Sequence, residues 1–174
     1  MADSENLPSV TVRGTCLCEA ISYAVDVDAV TFINNCHCVN CRKQSGAAFV
    51  TSIQVAEAGF HWETGQDHIQ TYASSPTVER AFCLRCGSRV PQVREGNVTV
   101  PAGGLEGSVG RGPDVDIWVN QKLDWIELSE VRPGCEGRGS PEFWASVFGG
   151  DPETYRSIQE ELDNQIQQAG KQDN

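Results

Sequence analysis

The chain is 174 residues long, enough for one domain with a core of its own. Its 24 acidic and 13 basic side chains give a net charge of -11, which argues against nucleic acid as a partner, and no apolar run approaches the ~20 residues needed to span a bilayer. The acidic start, Met1-Ala2-Asp3-Ser4-Glu5-Asn6, lacks the basic and apolar regions of a signal peptide, so the expected location is the cytoplasm and the expected partner a small molecule.

In chain order, residues 1–9 read as a loose arm. From 10 to 130 the pattern is short strands broken by turns. Ile21, Tyr23 and Val25 alternate with Ser22 and Ala24, and residues 49–55, 69–72, 97–100 and 116–119 also read as strands. Gly59, Gly65, Gly87, Gly96 and Gly103-Gly104 punctuate them, and Pro91 suits an edge or a strand end. The expectation is an all-β domain of about eight to ten strands. Residues 131–174 read as a Gly-rich loop, an amphipathic helix and a tail packed on the same domain. Asp151 is placed as N-cap with Pro152 at the first helical position, and Tyr155, Ile158, Leu162 and Ile166 recur at helical spacing, which predicts a helix over 152–168. A helix that docks a partner is the alternative.

Eight cysteines in this length stay below the roughly 8–10% of a disulfide scaffold. Seven of them cluster: Cys16-Leu17-Cys18, then Cys36-His37-Cys38-Val39-Asn40-Cys41, then Cys83-Leu84-Arg85-Cys86-Gly87. A structural zinc takes four closed ligands, whereas a catalytic zinc has three protein ligands and one open position. The first and third clusters together supply a closed set of four. The middle cluster keeps three thiols within six residues, able to hold an ion from one side. A mixed set, such as the triple with Cys18, stays open. Disulfides or buried free thiols are the bland reading, and a C-x-C pair closes on itself poorly. His37, between two ligands, has a supporting or substrate-facing role or simply packs. His61 and His68 read as surface residues and Cys135 as a spare thiol.

The order C-x-C, then C-H-C-x-x-C-R-K, then F-C-x-x-C-G-S resembles the glutathione-dependent formaldehyde-activating (GFA) family, to which the domain of centromere protein V is also related. Gly14, Ser45-Gly46-Ala47, Gly103-Gly104-Leu105, Trp118 and Trp125 agree with it. The resemblance implies a zinc-stapled β-tent of stacked antiparallel sheets (Mss4-like), here with a C-terminal helix added, and two Zn2+ per chain. Carried over position by position, Cys16, Cys18, Cys83 and Cys86 match the structural zinc ligands, and Cys36, Cys38 and Cys41 the catalytic ones. The family's named activity joins formaldehyde to glutathione as S-(hydroxymethyl)glutathione. Two departures leave the electrophile open: Asp116-Ile117-Trp118, where members often carry His, and Ser88-Arg89-Val90-Pro91 after the third cluster.

An open-position zinc can bind and deprotonate a thiol beside an electrophile. The expectation is a carbon–sulfur lyase or thiol-adduct enzyme with glutathione as co-substrate, His37 as a candidate proton mover, and Arg42 and Lys43 as contacts for the glutathione carboxylates. A solvated surface pair is the plain reading of those two. A non-catalytic glutathione or zinc carrier and a protein-interaction module are the rival functions, and a homo-oligomer is compatible with all of them.

Overall fold

The computed structural model describes residues 10–169. The expected arm at 1–9 and tail at 170–174 lie outside the described residues, as do the side chains of Leu162 and Ile166. Three sheets organise the chain. Strands β1 (Thr11–Thr15), β2 (Ser22–Asp26) and β5 (Phe60–Thr64) form an antiparallel sheet in the order β1-β2-β5. A six-stranded sheet contains β3 (Val30–Cys36), β4 (Val50–Ala56), β8 (Gln92–Arg94), β9 (Asn97–Pro101), β10 (Val115–Ile117) and β11 (Gly134–Cys135). Its order is β11-β10-β3-β4-β9-β8, and β6 (Ile69–Ser75) and β7 (Val78–Cys83) form a separate hairpin.

The antiparallel expectation needs one correction. Strand β10 runs parallel to both β3 and β11. A parallel neighbour requires a long return connection, and the stretch from β3 to β10 spans most of the domain, so local alternation carries no signal of it. The expected strand at 116–119 also stops early, because Trp118 adopts φ 59, a left-handed conformation that breaks the extended run.

The main core lies between the first two sheets. Val12, Tyr23, Val25 and Phe60 face Ile33, Ile53, Val55, Val98 and Val100, with Val109 closing one side. Every second residue from Ile21 to Val25 is fully buried, as the alternation predicts. Tyr23 explains two glycines. A Cβ at Gly14 would lie 2.4 Å from the Tyr23 ring, and one at Gly104 would lie 2.5 Å from its hydroxyl. A smaller apolar group of Cys16, Ile21, Ala81, Cys83 and Val90 joins the end of the first sheet to the hairpin.

Helix α1 (Val39–Ser45) occupies the corner between β3 and β4, where the sequence reading had only a cysteine motif. Helix α2 (Pro141–Phe148) was missed as well, although its start is written in the sequence. Ser140 Oγ accepts from Phe143 N at 3.2 Å and Pro141 opens the first turn. Trp144 and Phe148 pack on Phe32 of β3, with ring centroids at 6.1 and 5.5 Å. Helix α3 (Pro152–Ala169) packs on α2 and carries the expected cap, Asp151 Oδ1 accepting from Glu153 N at 3.0 Å. Among the described residues no helix is long and apolar enough to cross a membrane.

Candidate functional site

The first and third cysteine clusters meet. Cys16 and Cys18 sit in the turn after β1, Cys83 ends β7 and Cys86 follows one turn later; their four sulfurs all lie within 4.8 Å of one another. The turn is held by Gly87 N donating to Cys83 O at 2.8 Å, and Gly87 supplies the positive φ it needs, 74°. Ser88 ties the two segments, its Oγ accepting from Leu17 N at 3.1 Å and lying 3.3 Å from Cys86 Sγ. None of the eight cysteines is in a disulfide. The sulfurs fit a metal better than a disulfide. A tetrahedral zinc with bonds of about 2.3 Å puts its sulfurs about 3.8 Å apart, and Cys16–Cys18 and Cys18–Cys83 measure 3.6 and 3.9 Å.

The middle cluster is built locally. Cys36 is the last residue of β3, Cys38 caps α1, and Cys41 lies in its first turn, with Cys41 N donating to Cys38 Sγ at 3.3 Å. The three sulfurs are again within 4.8 Å of one another. Cys36 is buried, while Cys38 and Cys41 are half-buried, so one side of the cluster is accessible. Hydrogen bonds to Cys38 and Cys41 push the Cys36 thiol far up, and hydrogen bonds from Cys36 and Cys41 pull Cys38 down. Three sulfurs sharing protons in this way suit a cation that would replace them. Cys18 belongs with the other group, so the geometry does not favour the mixed set.

Behind this cluster lies a buried polar network. The His37 ring is 1% exposed, rests against Phe49 at 5.2 Å and places Nε2 2.8 Å from Asp116 Oδ1, while its Nδ1 has no partner among the described residues. Asp116 also accepts from Asn35 Nδ2 at 3.1 Å and from Arg132 Nε, and Asn35 Oδ1 accepts from the Thr51 hydroxyl at 2.7 Å. Burial opposes ionisation of Asp116, yet the hydrogen bonds from His37, Arg132 and Asn35 outweigh it and hold the carboxyl below its usual range. Of the roles open to His37, burial and the Asp116 bond favour support of the cluster over contact with a substrate.

Two arginines stand beside the same cluster. Arg80 Nη1 lies 3.8 Å from Cys41 Sγ and donates to Gln44 Oε1 at 2.9 Å, and Arg89 is near enough to feel the Cys41 and Cys36 sulfurs. Arg42 donates from Nε to His37 O at 3.3 Å, and Lys43 is exposed on the next position of α1. His61 lies 3.6 Å from Asp26, and neither it nor His68 is a member of either sulfur group, although His68 O accepts from Leu84 N of the third cluster at 2.8 Å. Cys135 is buried in β11 and its thiol is pushed up to about 11 by that burial.

A family profile described as glutathione-dependent formaldehyde-activating enzyme matches residues 11–121, a stretch that contains both sulfur groups. The chain belongs to the GFA family. It is similar to a Halomonas elongata protein provisionally named as a glutathione-dependent formaldehyde-activating enzyme, with 28% identity over 127 residues, 67% of this chain and 80% of that one. A solved Rhodobacter sphaeroides structure aligns over 58% of this chain and 97% of its own at 24% identity and a TM-score of 0.46, too loose a likeness to carry an argument.

For a GFA-family chain, the residues missed by sequence reasoning are Asp116, Arg132, Arg80 and Arg89. Asp116 and Arg89 were visible as departures from the family pattern, which is a usable signal. Arg80 carried no mark at all. Arg132 lies beyond the family match and joins the network only because β11 returns beside β10.

Proposed function

We propose that this GFA-family chain is a zinc-dependent carbon–sulfur lyase or thiol-adduct enzyme acting on glutathione and a small aldehyde or other electrophile. The observation that carries the reading is the local triad of Cys36, Cys38 and Cys41, with sulfurs within 4.8 Å and one accessible side. Zinc held by three protein sulfurs supplies Lewis-acid activation of a thiol at its remaining position. Cys16, Cys18, Cys83 and Cys86 are assigned a second, structural zinc, which makes two Zn2+ per chain.

The other residues hold and charge this site. Asp116 fixes the β3–α1 corner through His37 and Asn35, so His37 is a positioning residue in this reading. Arg80 points a donor at Cys41 Sγ and offsets the negative charge of three thiolates. Arg42 and Lys43 on α1 are assigned to the carboxylates of glutathione. In the same reading residues 10–130 form the zinc-binding β domain, of the β-tent (Mss4-like) type, and residues 131–174 pack on it. Eight cysteines without a disulfide suit a reducing compartment, and we place the protein in the cytoplasm.

The test is proton NMR of formaldehyde exchange between free glutathione and S-(hydroxymethyl)glutathione, extended to a panel of other glutathione adducts. Zinc-loaded protein should speed exchange or cleavage of at least one adduct, and Cys38→Ser should lose that effect while staying folded. Tight glutathione binding with no acceleration anywhere in the panel would make the protein a carrier and overturn the enzyme reading.

A further inference from the structure

The chain has an excess of acidic groups, and five of its ten arginines pair with them among the described residues. Arg13, Arg111, Arg132, Arg138 and Arg156 each pair with a carboxylate. Arg89 does not. It is half-buried, and the charges acting on it are the Cys41 and Cys36 sulfurs and the Arg80 guanidinium; burial and Arg80 both work against its own charge. Its backbone is fixed by an antiparallel bridge to Phe82, so the side chain leaves from a rigid point next to β7. A guanidinium withdrawn from water without a carboxylate is costly. Arg80, its neighbour, spends its donors on Ser74, Gln44 and the Cys41 sulfur.

Arg89 lines a groove of about 710 Å³, which is within the roughly 300–1,000 Å³ of small-molecule sites. The same groove is lined by Cys16 and Leu17 of the four-cysteine turn and by Ser45, Phe49 and Val50. The last three adjoin the open cluster without its sulfurs lining the groove: Val50 pairs directly with Cys36, and the Ser45 hydroxyl donates to Cys41 O at 2.9 Å. Two carboxylates, Glu19 and Glu106, also line it. Glu106 is taken up by Arg13 and Thr15, and neither is within ion-pair distance of Arg89 among the described residues.

We infer that Arg89, with Arg80 behind it, is a carboxylate-receiving subsite in the groove beside Cys36 and Cys41, so that the thiol taken by this site is one that carries its own carboxylate. The inference rests on the proposed function only for the place of the sulfur. An incoming carboxylate gives Arg89 the partner it lacks, in the bidentate geometry that a guanidinium offers and a lysine does not. It also shifts weight from the α1 pair: Arg42 has a donor committed to His37 O, whereas Arg89 has none committed among the described residues.

The test is isothermal titration of the zinc-loaded full chain with glutathione, glutathione diethyl ester and S-methyl glutathione, on wild type, Arg89→Gln, Arg89→Lys and Cys38→Ser. Each variant is first checked for zinc content and melting temperature. Glutathione should bind wild type about tenfold more tightly than its diester, Arg89→Gln should remove most of that preference, and Arg89→Lys should restore part of it. Equal binding of acid and ester, or an unchanged preference in a folded Arg89→Gln protein, overturns the subsite even if binding still needs Cys38. An Arg89-dependent preference that survives S-methylation and Cys38→Ser supports the subsite and removes the thiol-at-zinc reading. No binding of any of the three ligands to wild type overturns both. If Arg89→Gln does not fold, the comparison of acid with ester on wild type and Arg89→Lys decides by the same criteria.

Discussion

The two sulfur groups of this protein are built in opposite ways. The four-cysteine group draws on segments almost seventy residues apart, and Ile21, Ala81 and Val90 surround it with apolar side chains. The three-cysteine group comes from six consecutive residues, has one accessible side, and is backed by Asn35, His37 and Asp116 rather than by hydrocarbon. The first arrangement ties distant chain together, with Cys16 and Cys83 buried on the apolar side and Cys18 exposed on the other. The second keeps a local loop in place while leaving room in front of it. A metal would therefore be worth folding energy in one place and reactivity in the other.

The sharpest way to break that contrast is to remove one sulfur from each group. Cys83→Ser should cost of the order of 10 kcal/mol, the scale of structural zinc in small domains, and leave no cooperative thermal transition. Cys38→Ser should stay folded by circular dichroism and retain about one zinc by elemental analysis. If Cys38→Ser unfolds the chain and Cys83→Ser is benign, the roles are exchanged.

Gly14→Ala comes next. The new Cβ would fall 2.4 Å from the Tyr23 ring, which Gly104 blocks on another side. The resulting shift of β1 should cost about 1–3 kcal/mol and disturb the adjoining Cys16–Cys18 turn. Denaturant melts should show the loss, and zinc should leave the four-cysteine site more readily than the three-cysteine one.

Asp116→Asn tests the other group. Losing the charge that His37, Asn35 and Arg132 share should cost about 2 kcal/mol. The pH sign follows from a folded carboxyl held below its usual range. Asp116 adds stability in full above the unfolded carboxylate value, near 3.9, and that stability is lost as pH falls through the folded value. The gap between wild type and Asp116→Asn should thus be constant from pH 7 to about 5 and narrow below it. A gap that widens towards acid would contradict an ionised Asp116.

The smallest effect is expected at Tyr23, whose buried hydroxyl has no partner among the described residues. Tyr23→Phe should change stability by less than about 1 kcal/mol, in the stabilising direction, since no hydrogen bond is lost and an unsatisfied group is removed. A loss of 2 kcal/mol or more would mean the hydroxyl has a partner, which would sharpen the account of how Gly104 and the first sheet meet.

Local pattern determined a good deal of this protein by itself. The alternation at Ile21, Tyr23 and Val25, the Asp151 cap and the two-three-two spacing of seven cysteines are all short-range features, and short-range sterics and ligand geometry are enough to interpret them. Asp116 and Arg89 were legible only as irregularities against a family pattern. Tertiary structure alone decided which groups those irregularities would meet. The parallel pairing of β10 with β3 brings Asp116 beside Asn35 and His37 across some eighty residues, and β11 then delivers Arg132. The hairpin of β6 and β7 sets Arg80 and Arg89 against cysteines that lie about forty residues or more before them. Such pairings are fixed by how sheets close over a shared core, and charge or polarity at one position carries no record of the partner that closure will supply.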